Sequence, residues 1–236
     1  MERQFDQQID KLKKRLLKMC SLVDEQIEFA FKAIDEENIE LAQFVIDRDN
    51  KVDKYDIKID KICQKIIALN QPVAMDLRLI MSAITMDTNL ERIGDGAVNI
   101  SENFLVIKKK PAFINRIKYA EMVKLVKEMI RNSIDAFINN DPKLAAKVIE
   151  TDKIIDAYNQ ENHQILKDIM KEDPNNIDDA VVLLVISRQI ERLGDHATNI
   201  AEDVYFIVEA QMIKHKYEKY LFHEEEEDEE DKDEGE

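Results

Sequence analysis

The chain repeats itself, and this repeat limits the possible folds more than any other feature of its 236 residues. Advancing residues 41–66 by 103 positions pairs Leu41, Ala42, Val45, Ile46, Asp49, Asp53, Tyr55, Ile62 and Ile66 with identical residues at Leu144, Ala145, Val148, Ile149, Asp152, Asp156, Tyr158, Ile165 and Ile169. Further on the offset is 100. There Glu91, Arg92, Gly94, Asp95, Ala97, Asn99, Ile100 and Glu102 match Glu191, Arg192, Gly194, Asp195, Ala197, Asn199, Ile200 and Glu202. The offset changes in a turn, where connections tolerate deletion. Both halves must therefore build the same unit.

That unit is helical. Phe5, Ile9, Leu12, Leu16, Met19, Val23, Ile27, Phe31 and Ile34 step by three or four, the period of an amphipathic helix. Similar segments cover roughly 39–69, 76–108, 116–139, 142–170 and 177–215. Asp141-Pro142 reads as an N-cap with proline at the first helical position. Asn70-Gln71-Pro72 and Asp173-Pro174-Asn175-Asn176 read as turns, and Asn176 with Asp179 resembles a capping box. With 4 Gly and 4 Pro, little interrupts these helices. The expected fold is all-α, with six long helices as two internally repeated three-helix bundles. The units span residues 1–110 and 111–218, joined near Lys108-Lys109-Lys110-Pro111, and 219–236 form an acidic tail.

Net charge is −16, of which −10 lies in Glu224–Glu236, a run without apolar residues that is expected to be disordered. The remaining −6 repels nucleic acid phosphates and favours metal cations or basic protein surfaces as partners. Cys20 and Cys63 sit in apolar helical patterns without zinc-site spacing and read as reduced core thiols. Met1–Asp10 is charged and amphipathic, unlike a secretory signal. The apolar run Ala180–Ile186 is far shorter than the roughly 18 residues a membrane span needs. A cytoplasmic protein is expected.

The repeated residues are largely acids. Glu91 and Asp95, and Glu191 and Asp195, are four apart and share a helix face, as do Asp49 with Asp53 and Asp152 with Asp156 on the preceding helix. At about 100° per residue, Asn99 and Glu102 lie within about 80° of Glu91, and Asn199 and Glu202 repeat this beside Glu191. Like charges at this spacing repel, more so when buried. A cation between two such helices relieves that repulsion, and oxygen ligands suit hard ions such as Mg²⁺, Mn²⁺ or Ca²⁺, or iron. Without metal, the acids would line solvated faces with Arg92 and Arg192 as counter-charges. Gly94 and Gly194 leave space inside each strip, for close helix packing or for ions and water. Gly96 answers to His196 and Asp60 to His163, so each histidine is either an added ligand or an ordinary surface or capping residue.

Several chemistries are missing. There is no Glu-x-x-His pair for a di-iron bundle. Asp47–Lys58 lacks the glycine and final glutamate of an EF-hand loop, and no phosphate loop, GxSxG or HExxH occurs. An enzyme is not expected.

Leu90-Glu91-Arg92-Ile93-Gly94-Asp95 with Asn99-Ile100-Ser101-Glu102, and Ile190-Glu191-Arg192-Leu193-Gly194-Asp195-His196-Ala197-Thr198-Asn199-Ile200-Ala201-Glu202, resemble the duplicated motif of the PhoU family. Met75-Asp76-Leu77-Arg78-Leu79 is similar to the family as well. The likeness covers about residues 5–215. It leaves out the acidic tail, and Gly96 departs from the acidic or His residue more usual there. The resemblance implies two three-helix bundles, a homodimer, and an accessory role at the high-affinity phosphate ABC transporter. It further implies restraint of phosphate uptake and signalling between the transporter's ATPase subunit and a phosphate-sensing histidine kinase, with membrane contact only through these partners. Some family members bind multinuclear metal clusters through E(D)xxxD pairs, which map here onto Glu91/Asp95, Glu191/Asp195, Asp49/Asp53 and Asp152/Asp156. The competing readings are a helical dimerisation module without metal and, more remotely, a metal-dependent hydrolase.

Overall fold

The computed structural model describes residues 4–209. The predicted tail at 219–236, and residues 210–215 of the helix expected to reach 215, lie outside the described residues. Among the described residues seven α-helices form: α1 (Gln4–Asp35), α2 (Ile39–Arg48), α3 (Asn50–Asn70), α4 (Ala74–Ile107), α5 (Tyr119–Asn139), α6 (Pro142–Glu172) and α7 (Ile177–Glu209). Among the described residues there is no strand. All six expected helices are present, the second interrupted at Asp49 to give α2 and α3. There the Asp49 N–H donates to Ile46 O at 3.3 Å, an i−3 bond that tightens the chain for one residue. In the other half, α6 runs straight through the equivalent Asp152.

The turns follow local chemistry. The Asp141 carboxylate accepts from the N–H groups of Lys143 and Leu144 at 3.0 and 3.1 Å, the expected N-cap ahead of proline. The expected cap at Asn176 is displaced. Pro174–Asn176 form a short 3₁₀ turn, and Asp173 accepts from Asn175 N–H instead. Proline at the first position of that turn carries no N–H, so the acid before it caps the next available donor.

Each half is an antiparallel three-helix unit, α1 with α2–α3 and α4, and α5 with α6 and α7. The repeating apolar stripe of α1 is buried at Leu12, Leu16, Met19, Val23, Ile27, Phe31 and Ile34. The halves join mainly along α4 and α7, and secondarily where α1 meets α5. At the latter seam Lys127 binds Glu28, and Arg131 Nε binds Asp24 Oδ1 at 3.0 Å. Such surface pairs contribute little energy, about 0–1 kcal/mol each, but set which faces meet. Along the main seam Asn89 meets His196 and Asn199, while Gly96 meets Leu193. Residue numbers therefore run in opposite directions, and α4 and α7 are antiparallel. A side chain at Gly96 would begin 2.5 Å from Leu193 Cδ2, so the leucine occupies the space that glycine leaves.

Cys20 and Cys63 are buried, and burial pushes both thiols up to about 12, which keeps them protonated. No described helix is long and apolar enough to cross a membrane.

Candidate metal centres

Helices α3 and α4 bring one set of acids face to face, and α6 and α7 bring the other. In the first half Asp49 lies over Gly94, its Oδ1 3.5 Å from where a Cβ would stand. Gln26 Nε2 holds that same oxygen at 2.8 Å. Burial raises the Asp49 carboxyl, Gln26 opposes the rise, and Asp53 and Asp95 add to it. Glu91 is raised in turn by burial and by Asp95, with Asp56 and Asp53 contributing across the helix pair. Asp49, Asp53, Glu91 and Asp95 thus share one field.

The second half is more enclosed. Asp152 Oδ1 lies 3.0 Å from the Cβ position of Gly194. Burial, then Asp195, Asp156 and Glu191, push its carboxyl up to about 7. Glu191 is only 7% exposed and rises to about 6, through burial first and Asp195 second. Desolvation and Asp156 raise Asp195 as well. Asp152 Oδ1 and Glu191 Oε2 are both buried without a hydrogen-bond partner. Oxygen atoms in this condition cost free energy unless a proton or a cation reaches them.

Protein cations compensate in part. Arg92 sits 3.3 Å from Glu91 and 3.2 Å from Asp95. In the second half Arg188, a residue the sequence reading did not single out, pairs with Glu191. Glu91 and Glu191 stay raised despite these arginines, so the local balance remains in favour of bound positive charge.

The amides of the expected strip lie elsewhere. Asn199 Nδ2 donates to Asn89 Oδ1 at 3.2 Å, across the α4–α7 seam, and Asn99 lines a cavity on that seam. Glu102 is exposed and Glu202 half-buried. Each lies 11 residues beyond its Glu91 or Glu191 counterpart, about 16 Å along the helix, too far to share one ion with it. His196 also turns to the seam, its Nδ1 3.1 Å from Asn89 Oδ1. Desolvation, then Arg192 and Arg92, hold its imidazole below the usual range.

Three further acids belong to the first cluster. Asp87 is buried with Oδ1 unpartnered, and burial followed by Asp56, Asp60 and Glu91 pushes it up to about 8. The twin locus is neutral: Ser187 donates to Asn159 Oδ1 at 2.9 Å, and Asn162 Nδ2 donates to Ser187 at 3.0 Å. A spacing signal did exist, since Asp87 extends the Glu91–Asp95 ladder by one four-residue step.

These donor sets are oxygen-only and suit a hard cation. Among the described residues, no three His, Cys, Asp or Glu side chains are already gathered around a single ion position. Mg²⁺ needs no such cage, because it keeps several waters and uses one or two carboxylates. When bound, a cation would supply charge neutralisation between the paired helices. The glycines make a test of this geometry. Gly194→Ala would drive a Cβ against Asp152 Oδ1, and metal affinity of the second half should fall several-fold by calorimetric titration. Gly94→Ala meets its carboxylate at ordinary contact distance. It should leave binding intact while gaining about 0.5–1 kcal/mol of helix stability. Equal effects on binding would separate the glycines from carboxylate placement.

The fold and its acids define a class: duplicated three-helix proteins with a carboxylate cluster between the last two helices of each repeat. Comparison with known proteins agrees. The PhoU domain model matches residues 16–104 and again 119–204. A protein of Aquifex aeolicus named phosphate-specific transport system accessory protein PhoU homolog is 37% identical, over 90% of this chain and 96% of its own length. Its namesake from Zymomonas mobilis is 33% identical, over 86% and 85%. The crystal structure of PhoU from Pseudomonas aeruginosa superposes with a TM-score of 0.84 at 32% identity, covering 88% of this chain and all of that one. The chain belongs to the PhoU family.

Proposed function

We propose that this chain is a negative regulator of phosphate uptake and of phosphate-regulon signalling. It acts in the cytoplasm as a metal-binding, homodimeric adaptor between the high-affinity phosphate ABC transporter, through its ATPase subunit, and the phosphate-sensing histidine kinase. Membership of a family whose relatives are named accessory proteins of phosphate-specific transport carries the regulatory part. The metal part is supported by two clusters at equivalent places, each with raised carboxyls and the second with two unpartnered buried oxygens. Mg²⁺, Mn²⁺ or iron would be held by Asp49, Asp53, Glu91 and Asp95 in one half and Asp152, Asp156, Glu191 and Asp195 in the other. The role is regulatory, without a catalytic step.

The decisive experiment is complementation. In cells lacking their own such regulator, expression of this chain should restore repression of phosphate uptake in phosphate-replete medium, and the ATPase subunit or the kinase should co-purify with it. Uptake that stays derepressed, with neither partner recovered from a well-expressed chain, would overturn the reading. A metal-free helical dimerisation module is the alternative, favoured by the pairing of Arg92 and Arg188 with the cluster acids. Elemental analysis of protein purified without chelator separates the two.

A further inference from the structure

The seam between the halves holds a cavity of about 110 Å³, room for several waters or one small anion. Its wall reverses the charge of the surrounding body. Arg92 and Gly96 come from α4, and Arg192 and His196 from the twin positions on α7. Because α4 and α7 cross antiparallel and share the repeated motif, the two arginines approach the seam from opposite helices. Asn99 and Gln189 add amide groups, and Asp95 is the one acid in the wall.

We propose that this cavity binds a tetrahedral oxyanion, inorganic phosphate, between the Arg92 and Arg192 guanidiniums, with His196, Asn99 and Gln189 completing its hydrogen bonds. Guanidinium forks match the geometry of phosphate oxygens, and Arg92 and Arg192 line the same partly closed space from opposite helices. His196 provides selectivity. The Asn89 amide is fixed by donation from its Nδ2 to Thr85 O at 2.9 Å, so Asn89 Oδ1 faces His196 and accepts from Nδ1–H. In that tautomer Nε2 carries a lone pair. It can accept from the hydroxyl that phosphate retains near neutral pH and that sulfate lacks.

The site is also joined to the acid clusters. Arg92 is held by Glu91 and Asp95 in the metal-free arrangement. A cation among those acids competes for the same oxygens and releases the guanidinium to the cavity. Metal and phosphate should therefore strengthen each other's binding, and by linkage the factor must be the same in both directions.

The choice of phosphate among oxyanions rests in part on the regulatory reading above; the oxyanion site itself does not. The test is calorimetric titration of the full chain with inorganic phosphate and with sulfate, metal-free and Mn²⁺-loaded. Saturable phosphate binding is expected, with sulfate weaker, and about tenfold tighter with Mn²⁺. Arg192→Gln should weaken phosphate at least tenfold with helicity retained, and His196→Asn should narrow the gap between phosphate and sulfate. If Arg192→Gln does not fold, Gln189→Leu serves, with a several-fold loss expected. Absence of saturable binding in both metal states overturns the site. So does binding that needs metal and ignores Arg192→Gln, which would place phosphate on the ions. Failure of phosphate to bind while repression in cells is normal removes this site alone, whereas intact binding without repression removes the regulatory reading.

Discussion

Metal-free protein should become less stable as pH rises from about 5 to about 8, and added Mg²⁺ or Mn²⁺ should reverse the loss at pH 8 while changing little at pH 5. The expectation follows from Glu191, Asp152 and Asp87, whose carboxyls sit at about 6, 7 and 8, with Asp49, Glu91 and Asp195 also raised. An unfolded chain releases those protons near pH 4, whereas the folded one retains them. Between these limits the native state binds more protons than the unfolded state, so stability falls with each step up in pH. Allowing for the partial exposure of Asp152, the loss is on the order of 3–5 kcal/mol, or about 10 °C in Tm. Asp168 and Glu172 act oppositely, since bonds from Gln164 and from Arg116 hold them low, but their effect falls below about pH 4. Thermal melts across pH, with and without cation, decide the matter. A melting point unmoved by cation at pH 8 would show that the arginines suffice.

The second large effect separates site from scaffold. Asp152→Asn with Glu191→Gln preserves shape but removes charge from the two atoms that lack partners. Metal bound per chain should drop by about half, leaving the first cluster occupied. The metal-free Tm at pH 8 should rise, by about 5 °C, because a repulsion costing on the order of 1–2 kcal/mol has been removed. Binding and stability thus move in opposite directions. If both fall together, these acids serve the fold, and the ion account of the second half fails. Helicity by circular dichroism and metal content by elemental analysis read the two quantities separately.

Much of this architecture was legible in residue order. The apolar steps of three and four along α1 and α4, the Asp141-Pro142 start of α6, and the duplicated Glu91–Asp95 and Glu191–Asp195 ladders all act within one helix, where spacing alone decides the face. The break at Asp49 was not visible, because the equivalent residue in the other half sits inside an unbroken helix. Asp87 is not marked by the repeat, because its twin is Ser187. Only packing against α3, with Asp56 and Asp60, reveals it as part of an acidic locus. Helical angle alone places Asn99 and Asn199 on the strips, whereas their neighbours include residues from the other half of the molecule.

Periodicity and duplication by themselves determined the helices, the two repeats and which acids share a helix face, since each depends on contacts a few residues apart. Tertiary structure decided which faces meet: acids against acids between α3 and α4 and between α6 and α7, with Arg92 and Arg192 lining one cavity on the α4–α7 seam. That choice depends on antiparallel crossing and on the space left at Gly94, Gly96 and Gly194. Those are properties of helices in contact, and no single helix carries them.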